Sequence, residues 1–242
     1  MAKIKVCLFA WALVLLSVST FAVDGVTLIS QASVNAAGGF PYSITQSGSY
    51  KLSSNLTVTT ETDAIDINAD NVVLDLNGFT IASPCDTCAR YGVFSSGHQN
   101  ITIKNGVVTG FGYGIRLNSP SPIDGLDVNA LVEEVHASNN QNGINIQGGI
   151  VRRCTATGNS SGITVNSGVV ESNLSSNNLI GFNVSDVTLT GNSAKHNSSV
   201  GLGIGPGTVF GSNVVIDNQS DIVVVGGSIS QNNNVCTGGT AC

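Results

Sequence analysis

The sequence predicts an all-β chain, a right-handed, single-stranded parallel β-helix of about eight coils with a short N-terminal cap. Three observations predict it. An N-x-x-G pattern recurs at Asn140/Gly143, Asn159/Gly162 and Asn178/Gly181, 19 residues apart each time, and again at Asn197/Gly201 with one insertion. Each copy runs into an apolar-polar-apolar triplet: "INI" 144–146, "ITV" 163–165, "FNV" 182–184 and "LGI" 202–204. Apolar residues at i and i+2 mark a short strand with one buried face. The composition suits stacked turns, with 29 glycines, 5% aromatic and 10% charged residues, against roughly 25% charged in an ordinary globular domain.

Residues 1–22 read as an export signal. Lys3 and Lys5 precede the apolar run 6–21, and Thr20 and Ala22 are the small residues of a cleavage site. That run is shorter than the ~20 residues of a membrane span. The expectation is a secreted, periplasmic or cell-surface protein with no stable membrane span after cleavage. Its single domain covers 23–242. Within it, 23–58 supplies the N-terminal cap and first strands. "AIDIN" at Ala64, "GVFSS" at Gly92 and "GIRLN" at Gly114 begin earlier coils. The gaps between them place inserted loops at 82–91 and 118–139. "NVVLDLNG" (71–78) and "NITIKNG" (100–106) are equivalent second strands, with Asp75 and Lys104 outward and expected to form an ion pair.

The repeat has a physical reason for asparagine. Turn residues adopt left-handed or bridge conformations that Asn and Gly tolerate. Stacked amides also donate and accept along the axis. Asn140, Asn159, Asn178, Asn197 and Asn218 are therefore expected to form a structural ladder, ending where Asp221 replaces the glycine. A second column five residues earlier holds Asn173, Asn192 and Asn213, with Cys154 in the same register. No leucine consensus supports a leucine-rich repeat, and no six-residue period supports a hexapeptide helix.

Five cysteines follow the signal. In an exported chain, disulfides are the default. "CDTC" is neither at a helix start, as a redox pair would be, nor matched by a second pair for zinc. The expected bridges are Cys85–Cys88 in a loop and Cys236–Cys242 closing the segment 235–242. Cys154 is left as a free thiol facing the turn column.

The outward residues of successive triplets read Asp66, Phe94, Arg116, Asn145, Thr164, Asn183, Gly203 and Val223. Asp66, Phe94, Arg116 and Asn145 form a candidate groove. Phe94 would stack on a sugar ring and Arg116 would meet a uronate carboxylate. The second insertion adds Asp124, Asp127, Glu133 and Glu134 beside it. Arg152 and Arg153, as neighbours, are expected to point apart. The histidines share no column. A net charge of −6 excludes a phosphate-backbone partner, so no nucleic acid is expected.

"GFPYSITQSGSYKLSSNLTV" (39–58), "AIDINADNVVLDLNGFTI" (64–81), "NITIKNGVVTGFGYGIRL" (100–117), the N-x-x-G coils and "NVCTGGTAC" (234–242) carry a resemblance. The chain resembles the right-handed parallel β-helix superfamily of pectate lyases, polygalacturonases and alginate epimerases. It is most similar to secreted bacterial β-helix repeat proteins of unassigned function. The resemblance implies the fold. It transfers no catalytic residue. The Asp-Asp pair, the Gly-His-Gly segment and the Asp-Pro-His motif are all missing; "GHQN" stands at 97–100. No carboxylate pair suited to glycoside hydrolysis is evident.

Three functions follow as expectations. The first is a non-catalytic protein that binds polysaccharide or a cell-surface glycan. The second is a lyase or epimerase on acidic polysaccharide using Asp66 and Arg116. The third is a structural adhesion module. No metal site or cofactor is implied, except calcium if the activity is a lyase.

Overall fold

The computed structural model describes residues 25–84, 90–118, 129–237 and 242. Cys85, Cys88, Asp124 and Asp127, and with them the Cys85–Cys88 bridge and part of both insertions, lie outside the described residues. The chain is a parallel β-helix. Every strand pairs in parallel with its counterpart one coil away, which sets a rise of about 4.8 Å per coil. Three faces result, here called front, flank and back, met in that order along each coil. Nine strands build the front face: Tyr42–Ile44, Ile65–Ile67, Tyr91–Ser96, Tyr113–Asn118, Asn142–Ile146, the starts of Ser161–Glu171 and Ile180–Thr190, then Val200–Ile204 and Ser220–Val224. That is one more than the sequence-based count.

Alternation fixes what each face buries. On the front, Ile65/Ile67, Ile115/Leu117, Ile144/Ile146, Ile163/Val165 and Phe182/Val184 point inward and are buried. Where the pattern places Ser95 inward, its hydroxyl donates to the Ile67 carbonyl at 2.7 Å. This satisfies the buried polar group. At the N-terminal end the strand Val26–Ile29 starts the flank face and pairs with Gly48–Leu52. The helix Gln31–Ala36 follows, closed by a reciprocal Ser30/Ser33 capping box and inserting Val34 into the core.

Two corners carry buried asparagine ladders. At the back–front corner, Asn140, Asn159, Asn178 and Asn197 each donate their backbone N–H and Nδ2 to the Oδ1 of the next coil's asparagine, at 2.8–3.2 Å. Each Nδ2 also donates to a carbonyl of the coil before, for example Asn159 to Ala137 at 3.1 Å. Asn218 ends the series by donating to Asp221 Oδ1. At the flank–back corner, Asn173, Asn192 and Asn213 repeat the pattern and Asn234 extends it. Asn234 Nδ2 then meets the carbonyl of Cys242, which a disulfide ties to Cys236. A third ladder, exposed, links Asn71, Asn100 and Asn129 at the front–flank corner.

The turn geometry corrects the sequence-based account. The buried ladder asparagines are not the left-handed residues, whereas Asn71, Asn100 and Asn129 of the exposed ladder are. The residue before each buried one is: Asn139, Asn177, His196 and Asp217 have φ between 53° and 58°, and Gly158 has φ 68°. The left-handed residue turns the chain, and the buried asparagine then locks the corner. The conserved-spacing glycines have a different role again. A Cβ on Gly143 would lie 2.5 Å from the Gly162 carbonyl oxygen, and one on Gly181 would lie 2.6 Å from that of Gly201. Space, not φ, demands glycine there.

Three further expectations are corrected. Asp75 pairs with Lys51, at 3.8 Å on the preceding coil, rather than Lys104. Its Oδ1 is held by the Asn77 N–H at 2.7 Å and Asn105 Nδ2 at 3.3 Å, which turns the carboxylate toward the corner. The segment Ala130–Ser138 is a strand, not part of an inserted loop. Arg152 and Arg153 do not point apart. Arg153 is left-handed, with φ 52°, so both guanidiniums reach Glu133 Oε2, at 2.9 and 2.8 Å.

Candidate functional site

The candidate site lies on the front face, where two outward columns run side by side. Asp66, Phe94, Arg116 and Asn145 are register partners on successive coils. Tyr91 and Tyr113 form a second column, three residues earlier in each strand, continued by Asn142. The two columns share a face because the residues between them turn inward. In Tyr91–Ser96, Gly92 and Val93 are both buried. A Cβ on Gly92 would lie 2.6 Å from the Gly114 carbonyl oxygen. The close approach at glycine lets the chain bend, so residues i and i+3 both face out.

The side chains make one cluster. Tyr91 and Phe94 stack with ring centroids 4.5 Å apart and an interplanar angle of 15°. Tyr113 tilts against Tyr91 at 5.5 Å. The Arg116 guanidinium lies 4.5 Å from the Tyr113 centroid and 5.8 Å from that of Tyr91. The Arg90 guanidinium lies 5.1 Å from the Tyr91 centroid. Arg116 Nε donates to Asn118 Oδ1 at 3.2 Å, which steadies the fork. Phe94 is therefore not a free-standing ring: Tyr91 covers part of it, and the platform is composite.

Two carboxyls border the platform. Asp63 accepts the Tyr91 N–H at 3.2 Å. Burial raises its affinity for a proton, with Arg90 and that N–H opposing. Asp66 is half-buried, and its Oδ1 is closed to solvent without a hydrogen-bond partner. Burial first, then repulsion from Asp63, pushes its pKa up to about 6, with Arg90 pulling the other way. A carboxyl titrating there can exchange a proton near neutral pH.

Of the predicted groove residues, Asp66, Phe94 and Arg116 belong to this cluster, and Asn145 follows Arg116 one coil on. Glu133 and Glu134 do not join it. They lie on the flank side, bound to Arg152 and Arg153. Sequence reasoning missed Tyr91, Tyr113, Asp63 and Arg90. The repeated "YGVF" and "YGIR" segments carried the signal, a tyrosine just before the stacked glycine in both coils. The histidines sit elsewhere: His98 beside Asp70 at 3.2 Å and His196 beside Asp217 at 3.5 Å. Among the described residues, no group of three or more His, Cys, Asp or Glu is placed to hold a metal ion, and no helix is long and apolar enough to cross a membrane.

No family model matches the chain, and no curated protein matches it. Among solved structures it is similar to the A-module of the mannuronan C-5 epimerase AlgE4 of Azotobacter vinelandii. The identity is 18% and the TM-score 0.45, over 85% of this chain and 70% of that one.

Proposed function

We propose that the chain is an exported parallel β-helix, directed by the signal 1–22, that binds acidic polysaccharide on its front face. One observation carries this reading. Arg90 and Arg116 lie over tyrosine rings, and the ion pairs among the described residues engage Lys51, Arg152, Arg153 and two histidines instead. Two guanidiniums on an aromatic platform suit a ligand that offers apolar ring faces and carboxylates together.

A second reading, a lyase or epimerase on the same polymers, is favoured by Asp66. Its unpartnered oxygen and raised pKa are what a proton-transfer group needs. One experiment separates the readings. Mature protein 23–242 is incubated with polygalacturonate, alginate and heparin-like polymers, with and without calcium. Binding is followed by calorimetry and unsaturated ends by absorbance. Binding without product, weakened at least ~10-fold in Arg116→Ala, supports the binding role (about 1.4 kcal/mol per tenfold). Product on any polymer establishes the enzyme. Neither signal points to a structural adhesion module.

A further inference from the structure

Asp66 stands on the binding platform with an oxygen that nothing in the protein satisfies. Ile65 and Ile67 on either side of it are fully buried, so its backbone is fixed. Its register partners are the neutral Ser43 and the Phe94 ring. The titratable groups around it are Asp63 on its own segment, Tyr42 on the preceding front strand, and Arg90 and Tyr91 at the start of the following one. Asp63 repels its charge and Arg90 attracts it.

We propose that Asp66 is a proton-gated specificity residue: as the neutral acid it donates its carboxyl proton to an oxygen of a bound acidic glycan, and as the carboxylate it repels that glycan. This deepens the binding reading above and rests on it. The closed, unpartnered Oδ1 makes the charged form costly and favours the neutral acid, and the half-exposed remainder of the carboxyl is what a ligand can meet. A uronate carboxylate oxygen that meets this carboxyl is accommodated only when one of the two acids carries a proton. The uronate carboxylates of the polymer stay ionised down to about pH 4, so the proton belongs to Asp66. Above its titration point, binding takes up one proton per site from solvent. Below it, the site is already competent. With the titration near pH 6, the neutral fraction rises from about 3% at pH 7.5 to about 90% at pH 5.0, so affinity rises by up to ~30-fold.

The test uses mature protein and polygalacturonate at fixed ionic strength, with dextran as the neutral control. Wild-type affinity is expected to rise at least ~10-fold from pH 7.5 to 5.0. Asp66→Asn keeps the shape and a donor, and is expected to bind at both pH values as the wild type does at pH 5.0. A wild-type affinity that is flat or increases with pH overturns the proposal, and so does a pH slope retained in Asp66→Asn. A ligand-free readout separates the two levels. The Asp66 side-chain carboxyl, followed by carbon-13 NMR, should titrate near pH 6. A midpoint near 4 overturns the gating even if the polymer binds. A midpoint near 6 with no binding at either pH overturns the binding reading, and the gating with it.

Discussion

Between Ile65 and Asn118 the front face carries Asp66, Tyr91, Phe94, Tyr113 and Arg116. Between Ser161 and Val224 it carries Thr164, Asn183, Gly203 and Val223. The corners differ in the opposite sense. In the later coils Asn159, Asn178 and Asn197 fill the back–front corner. In the coil of Arg116 the same position, three residues before the stacked glycine, holds Phe111, which is 1% exposed. Its N–H donates to Asn140 Oδ1 at 3.0 Å and so starts the ladder. The later coils are thus held at the corner by amides and leave a bland face. The coil of Arg116 closes the corner with an apolar side chain, and the earlier coils place their polar chemistry outside. Regularity and chemistry are separated along the axis.

Breaking the ladder should produce the largest effect. Asn178→Ala removes donors to Ala156, Ser175 and Asn197 and leaves the Asn159 donors without an acceptor. A loss of about 3–4 kcal/mol is expected in denaturant unfolding, since each stranded buried group costs ~1–3 kcal/mol. A loss below about 1 kcal/mol would mean that the amides merely fill the corner. Gly162→Ala should come next, at about 2–3 kcal/mol of overpacking, because the new Cβ would lie 2.6 Å from the Gly181 carbonyl oxygen. Gly203→Ala is the matched control. A Cβ there would face outward with its nearest atom 3.4 Å away, so the variant's unfolding free energy should stay within the ±0.5 kcal/mol surface range.

Asp66→Asn sharpens the comparison from the other region. A carboxyl whose pKa rises on folding, from 3.8 to about 6, binds more protons when folded, so its contribution to stability falls as pH rises through that window. Replacement should therefore stabilise the protein at pH 7.5, by ~1 kcal/mol once solvent screening of a half-exposed group is discounted. The gain should vanish below about pH 4; a gain that persists there would assign the effect to packing. Arg116→Ala should be smallest for stability, within about 0.5 kcal/mol, while weakening binding most. A large unfolding penalty would make Arg116 a structural residue of the platform.

The coil path was legible because a 19-residue period and in-out-in triplets are local signals. The ladders were legible as columns, and the inward glycines as spacing. What was not legible depended on neighbours in space. Which corner residue is left-handed is decided by the whole turn: Asn177 turns and Asn178 is buried, though both are asparagine. The convergence of Arg152 and Arg153 on Glu133 needed the same knowledge. The tyrosine column of the site stayed hidden because strict alternation places Tyr91 and Phe94 on opposite faces, and only the bend at Gly92 reunites them. Cys154 was legible as an odd member of a column. Its thiol sits between the Val132 and Arg152 carbonyls, with one S–H for the two, where Asn192 uses both N–H bonds on Val170 and Thr190. Burial pushes its pKa up to about 12, so it stays a thiol.

Each amide in the back–front ladder points the same way: its NH2 faces the next coil and its carbonyl the previous one. The dipoles add, as in a helix, and the terminal NH2 of Asn218 meets the Asp221 carboxylate. Asp221 accepts from Thr237 as well, and the donors from Thr237 and Asn218 outweigh burial to keep it ionised below the usual carboxylate range. The solenoid therefore has a direction and a full stop. A coil added after Asp221 would find no free donor in register, because Asp221 already takes both from Asn218. A 19-residue unit duplicated between Asn140 and Asn197 would find a donor below and an acceptor above. Such a fold lengthens from its middle, by copying the coils with the blandest face, while the aromatic platform toward one end and the charged terminator at the other pass through the duplication unchanged.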